Sequence, residues 1–263
     1  MNILAFFAHP DDETMLCGGT MALLARQGAA VYYLSATRGE GGEAGEPPLC
    51  PLEELGSVRS AELACAVEAL GGLSLDFLDY VDPRIGPDNT LYPFTSDLET
   101  LSGQVVDYLR RYSAEVFIAH GSNGEYGHPA HKLVYQAARI AIISLGETAP
   151  LFYTFQASFS EHPKPHLMNT DDPAHLVLDI SPVKQQKIQA TLCHRTQHAL
   201  FVRNTSKQLG RPVTVPEVVV SLESLHRVHP PVSNSALHDP LAELLLASGC
   251  AKAPANSNGL AQK

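Results

Sequence analysis

The stretch NILAFFAHPDDETMLCGGTMALLARQG, residues 2–28, decides the fold. Residues 2–8 form a short apolar run that fits a strand buried on both faces. Residues 13–27 then show apolar positions at helical spacing, with Gly28 as a stop. Between the two lie His9, Pro10, Asp11, Asp12 and Glu13, so a group of cation-binding and proton-transferring side chains stands where the first strand ends.

Outward from this unit the alternation continues. Residues 30–35 read as a strand, and 37–51 (TRGEGGEAGEPPLCP) as a polar, glycine-rich loop of the kind that forms an active-site lid. A helix over 57–70, with Ser57 as its N-cap and Gly71 as its stop, leads to a strand over 73–80. Helix 96–112, strand 115–120, helix 129–145 and strand 150–155 follow. Residues 158–172 read as loop, 175–180 as strand, 182–200 as helix and 214–222 as a late strand. Asp239 caps a last helix that begins at Pro240 and stops at Gly249.

Strand–helix–strand order repeated in this way predicts an α/β, Rossmann-like fold. Its sheet is mostly parallel with helices on both faces, and its active site lies at the carboxyl ends of the strands. We expect one domain over residues 1–249, with 200–249 as a C-terminal extension packed on it, and a disordered tail over 250–263.

The 263 residues carry 18 Lys+Arg against 28 Asp+Glu, a formal charge of −10, which excludes a basic nucleic-acid or anionic-membrane footprint. Hydrophobic content of 44% with 17% charged residues is that of a folding, soluble chain. No run is long enough to span a membrane. The five cysteines, at 17, 50, 65, 193 and 250, have neither zinc-finger nor redox-motif spacing, so they read as reduced thiols of a cytoplasmic protein. A homo-oligomer is compatible with all of this. A nucleotide-binding reading of the alternating pattern is weakened by HPDDE, which would repel a pyrophosphate at the turn where a cradle needs glycines and free amides.

Twelve histidines point to the chemistry. His9 and Asp12 can converge on one cation from a single turn, leaving Asp11 free. A catalytic zinc site needs a third protein ligand, and GEYGHPAH, residues 124–131, is placed to supply it after the strand ending at His120. Pro129 suits the first helical position, which makes His128 the N-cap and His131 the third residue of the helix. Any one of these histidines alone would read as an ordinary surface or core residue. Asp11 and Asp12 together need a cation, or the helix N-terminus beside them, to offset their repulsion.

AHPDDE after the first strand, Thr37-Arg38-Gly39-Glu40 after the second and Tyr126-Gly127-His128-Pro129-Ala130-His131 after a later one resemble the PIG-L/LmbE family of zinc-dependent N-deacetylases. KIQATLCHRTQ, residues 187–197, is similar to that family's closing helix motif, and the likeness covers roughly residues 1–200. The resemblance implies a cytoplasmic enzyme that removes an acetyl group from an N-acetylglucosamine-type amino sugar or its conjugate. It makes His9, Asp12 and His131 the ligands of Zn2+, with Fe2+, Mn2+ and Co2+ as alternatives, and Asp11 the general base. His128 becomes the oxyanion stabiliser, its protonated ring the donor, and Tyr126 a mobile helper. Arg59 and Asp82 resemble positions that hold sugar hydroxyls, although Arg59 with Glu62 is equally an ordinary helix ion pair and Asp82 before Pro83 an ordinary turn.

Two hydrolytic roles are required of such residues: a cation that polarises the acyl carbonyl and lowers a water's pKa toward ~7, and a base that takes the proton. A catalytically silent binder of sugar or metal is the alternative, and it has no need of a free Asp11. The chain departs from the family at Ala130, where a carboxylate that pairs with the catalytic histidine is common. Either another acid substitutes, with Glu125 in the same loop the expected partner of His128, or the acidic limb of activity lies lower. Specificity is expected in residues 37–51, 158–172 and the region after 200, and of the remaining histidines His120 and His194 should come nearest the pocket.

Overall fold

The computed structural model describes residues 1–232 and 237–252. Its first strand, β1 (Asn2–Phe7), alternates as a doubly buried strand must. Ile3, Ala5 and Phe7 enter one hydrophobic core, while Leu4, Phe6 and Ala8 enter another on the opposite face. Short α1 (Asp12–Met15) and α2 (Gly18–Arg26) follow, then β2 (Ala30–Thr37), α3 (Leu55–Ala69) and β3 (Ser74–Tyr80). Next come α4 (Leu98–Arg111), β4 (Val116–Ala119), α5 (Pro129–Leu145) and β5 (Leu151–Phe155). The remainder comprises β6 (Ala157–Ser158), β7 (Asn169–Pro173), β8 (Leu176–Asp179), α6 (Lys184–Cys193), α7 (His198–Leu209), α8 (Val215–Val218), β9 (Leu222–His229), α9 (Pro240–Ala247) and β10 (Ala251–Lys252).

Eight strands form one sheet in the order β10-β8-β9-β5-β4-β1-β2-β3, and β6 pairs with β7 separately. The five strands from β5 to β3 are parallel; β9, β8 and β10 add an antiparallel flank. Residues of α4 and α5 pack on one face, and those of α2, α3, α6 and α9 on the other. The chain leaves β1 toward β2 on one side and returns on the other through β4. The crevice at their carboxyl ends is therefore the topological switch point where such sheets bind ligands.

Several local expectations are corrected. The helix over 13–27 is two helices. Glu223 from β9 accepts from the backbone N–H groups of Gly19 (2.8 Å) and Thr20 (2.6 Å), so an imported carboxylate caps a new helix start. Ser57 lies inside α3, which starts at Leu55. The helix over 182–200 breaks between α6 and α7. There the Glu62 carboxylate accepts from the Thr196 N–H (2.8 Å) and hydroxyl (2.6 Å), while His194 turns inward to Glu13 at 2.7 Å.

The strand expected over 214–222 is α8 followed by β9. Thr214 and Glu217 form a capping box and Pro216 removes a ladder donor, which together override the β preference of the valines. Ala251 and Lys252, expected in the tail, pair with β8, and residues 253–263 lie outside the described residues. Cys65 of α3 and Cys193 at the end of α6 are joined in a disulfide across 128 residues, against the expectation of five free thiols. Helix packing, which no sequence spacing encodes, brings them together. Among the described residues no helix is long and apolar enough to cross a membrane.

The Lys187 ammonium, itself buried, is held 2.7 Å from Glu223, beneath the N-terminus of α2. Glu223→Ala strands that charge and two N–H groups together, and is expected to lower the unfolding free energy by about 3–5 kcal/mol. A fall in the urea midpoint at unchanged m-value checks this.

Candidate metal centre and active site

His9 and Asp12 leave the end of β1 within one turn. The Asp12 Oδ2 atom accepts from the His9 backbone N–H at 2.9 Å and lies 3.4 Å from His9 Nδ1. From the first turn of α5, His131 brings Nε2 to 3.2 Å from Asp12 Oδ1. One ligand atom from each of His9, Asp12 and His131 lies within 4.8 Å of the others, and all three residues are buried.

The hydrogen bonds behind this group fix its chemistry. Glu125 Oε2 accepts from His131 Nδ1 at 2.6 Å, which fixes the ring so that Nε2 faces the Asp12 carboxylate. That Nε2 is buried and has no hydrogen-bond partner. Facing a carboxylate oxygen at 3.2 Å, that nitrogen needs a positive charge between them, a proton or a metal ion in its place; against burial, Asp12 holds the ring's pKa above its ordinary value. The donor set of two imidazoles and one carboxylate fits a divalent ion. Burial alone would raise the Asp12 pKa, but the neighbouring His131 and His120 rings hold it well below the ordinary carboxylate range.

Glu125 is the residue whose role the sequence did not disclose. It was expected beside His128; instead its Oε2 also receives His120 Nδ1 at 2.8 Å, and its Oε1 accepts from the Gly121 N–H and from Asn169 Nδ2, both at 3.1 Å. The loop after β4 turns this side chain to His120 and His131, and no hydrogen bond joins it to His128. His120 Nε2 accepts from the Ala8 N–H at 3.1 Å, and its ring stacks on His131 with centroids 4.0 Å apart. Four donors thus serve one buried carboxylate, whose pKa falls to about 2 because the histidines outweigh burial.

His128 is the N-cap of α5, and its Nδ1 accepts from the Ala130 N–H at 3.2 Å. Burial, reinforced by His131 and His9, pushes its pKa down to about 3, so the ring is neutral and carries its proton on Nε2. The expectation of an imidazolium at this position is therefore corrected. A helix N-terminus and adjacent positive charge both oppose it.

Asp11 stands beside the ligand group without belonging to it. Its backbone is left-handed, with φ +100°, a conformation that costs a non-glycine residue free energy and is held by neighbours. Glu13 Oε2 accepts the Asp11 N–H at 2.9 Å, and Arg59 donates to Asp11 Oδ2 at 3.2 Å and to the Pro10 carbonyl. Arg59 also donates to the Gly39 carbonyl at 2.8 Å; a Cβ at Gly39 would come within 2.2 Å of its guanidinium. Burial lifts the Asp11 pKa to about 6 against the pull of Arg59.

Seven of the eight residues singled out in the sequence line one cleft of about 220 Å³; the eighth, His131, is fully buried with its Nε2 against Asp12. Arg59 pairs with Asp11 rather than Glu62, and Asp82 faces His9 Nε2 at 3.3 Å, so the charged atoms of both are engaged within the site. Tyr126 sets its ring against His128 and His131, with centroids 5.6 and 5.5 Å away. Loop 37–51 lines the cleft through Gly41, Gly42 and Glu43, as expected. The 158–172 segment contributes no lining residue and instead braces Glu125 through Asn169. The turn carrying Pro83, Ile85, Leu91 and Tyr92 takes its place.

Residues 4–142 match the PIG-L family, described as GlcNAc-PI de-N-acetylase. The 1D-myo-inositol 2-acetamido-2-deoxy-alpha-D-glucopyranoside deacetylase of Acidothermus cellulolyticus is 36% identical over 160 residues, which cover 56% of this chain and 54% of the relative. The chain therefore spans about half the length of that relative. In fold it resembles the 4-carboxy-2-hydroxymuconate hydratase GalB of Pseudomonas putida, with TM-score 0.59 and 24% identity over 90% of this chain and 99% of that one. It also resembles the N,N'-diacetylchitobiose deacetylase of Pyrococcus horikoshii, with TM-score 0.57 and 18% identity over 86% and 83% of the two chains.

Glu125→Gln leaves His131 Nδ1 free to shed its proton or turn. Metal affinity is expected to fall about 10–100-fold, the usual effect of losing such an outer partner. Competition with a chromophoric chelator measures it.

Proposed function

The chain belongs to the PIG-L family, and from that membership we propose that it is a divalent-metal N-deacetylase acting on an N-acetylglucosamine-type amino sugar or a conjugate of one. The observation that carries this reading is Asp11. It is a buried carboxylate held in a costly backbone conformation by Glu13 and Arg59, beside a complete ligand set and outside it. A silent metal or sugar binder gains nothing from such a group.

His9, Asp12 and His131 would hold the ion. Two histidines and one carboxylate favour Zn2+, with Fe2+, Mn2+ and Co2+ compatible with the same set. When bound, the ion supplies Lewis-acid polarisation of the acyl carbonyl and acidifies a water. Asp11 accepts the proton of the attacking water and returns it to the leaving nitrogen, a cycle that suits a carboxylate with a pKa near 6. His128 donates Nε2–H to the carbonyl oxygen as that atom gains charge. Being neutral, it gives up no proton in doing so. Tyr126 shields the same oxygen from bulk water. Arg59 keeps Asp11 ionised and aimed, and Asp82 orients His9 through Nε2, so we assign both an orienting role in addition to any contact with the sugar.

Amine release from N-acetylglucosaminides tests the reading directly. Activity is expected to vanish with chelator and return with Zn2+. Asp11→Asn is expected to lower kcat by about 10²–10⁴-fold with metal content unchanged; wild-type turnover by this variant would remove Asp11 from the mechanism. The active form of Asp11 is the ionised one, so kcat/KM falls as pH drops through its pKa. Because Arg59 lowers that pKa, Arg59→Gln is expected to move the acidic limb of the pH profile upward; an unmoved limb contradicts the assignment.

A further inference from the structure

The cleft has two halves of different chemistry. The floor is ionic, built from His9, Asp11, Asp12, Arg59, Asp82 and His128. The outer wall is apolar: Ile85, Leu91 and Tyr92 come from the segment between β3 and α4, and Leu200 comes from α7. Ile85 is 51% exposed, Tyr92 44% and Leu200 43%, while Tyr126 at the junction of the halves is 54% exposed. Large apolar side chains left in water on one continuous rim of a site are there to be covered by a ligand.

Several polar groups beside this wall are already committed. Both Glu43 oxygens accept from Arg203, each at 2.7 Å. Gln197 Nε2 donates to the Glu43 carbonyl at 2.7 Å and to Thr196 Oγ1 at 2.9 Å. The Asp82 N–H is held by Glu40 at 3.0 Å. The wall is also built with little slack. A Cβ at Gly41 would come within 2.2 Å of the Pro83 carbonyl, and one at Gly86 within 2.5 Å of the Tyr92 hydroxyl, so two loops and the Tyr92 ring lie in direct contact. The Gly86 N–H donates to the Thr90 carbonyl at 2.8 Å, which closes the turn that presents Ile85.

We propose that this outer half is a subsite for an apolar aglycone, so that the substrate is an alkyl or aryl glycoside of the N-acetylated amino sugar. The assignment rests on the deacetylase reading, because the amide must lie on the ionic floor for the neighbouring substituent to meet the wall. An inositol or second sugar at the same place would find few hydrogen-bonding groups, the Tyr92 hydroxyl among them, for its many hydroxyls. An apolar group would instead displace water from four side chains at once.

The test is steady-state amine release by the Zn2+-loaded full chain from the methyl, phenyl and octyl N-acetylglucosaminides of one anomer, together with the myo-inositol glycoside. The expected result is a kcat/KM for the phenyl and octyl compounds about tenfold or more above the methyl one, expressed mainly in KM, with the inositol glycoside no better than methyl. Ile85→Ser and Leu200→Ser are expected to bring the octyl-to-methyl ratio toward one. A flat series, or preference for the inositol glycoside, overturns the apolar subsite while leaving the deacetylase reading in place. Absence of amine release from every compound overturns both.

Discussion

Five carboxylates crowd one end of the sheet. Asp11, Asp12 and Glu13 are consecutive, and Asp82 and Glu125 join them from other loops. Among the described residues, Arg59 is the one guanidinium bonded to any of them. Left alone these charges would force the crevice open or pick up protons, since like charges at this spacing in a low-dielectric site cost several kcal/mol. The surrounding structure can be understood as the distribution of donors that prevents this, with one place left for a metal ion.

Each acid has its own partner. Glu13 is answered by His194, which leaves the helical path at the α6–α7 break to reach it. Asp11 is answered by Arg59 from α3. Glu125 takes the ring protons of His120 and His131. Asp82 faces His9. Asp12 is left with imidazoles whose protonation a divalent ion can replace, and His131 Nε2 among them has no other hydrogen-bond partner. Helices that pack on the sheet for hydrophobic reasons thus also carry groups that hold Asp11 in a left-handed backbone. Fold and site are coupled through α3 and the α6–α7 break, the same two elements that the Cys65–Cys193 disulfide joins.

Much of this was legible in the residues, for local reasons. A doubly buried strand ending in HPDDE has few readings, and Pro129 after His128 places His131 on the first helical turn. The parallel order followed from alternation. What escaped depended on direction or distance. Glu125 was noticed, but nothing in GEYGHPAH tells whether its side chain turns toward His128 or beneath the loop to His120; that choice is made by Gly121 and by Asn169 from a segment 44 residues away. The α6–α7 break is invisible because the carboxylates that replace its helical bonds come from residues 13 and 62. Residues 214–217 do carry a local helix signal: Thr214 and Glu217 have capping-box spacing, and their local bonds outweigh valine propensity. The apolar wall stayed hidden because Ile85, Leu91 and Tyr92 belong to a turn with no periodic pattern.

His9, Asp12 and His131 are proposed to form one cation site whose orientation Glu125 maintains. Elemental analysis of the purified chain, combined with anomalous scattering at the metal edge in a crystal, tests it most directly. One divalent ion per chain is expected, placed between those three side chains and lost in His131→Ala. A chain that takes up no stoichiometric metal, or an ion seated instead on the His120–Glu125 pair, would contradict it.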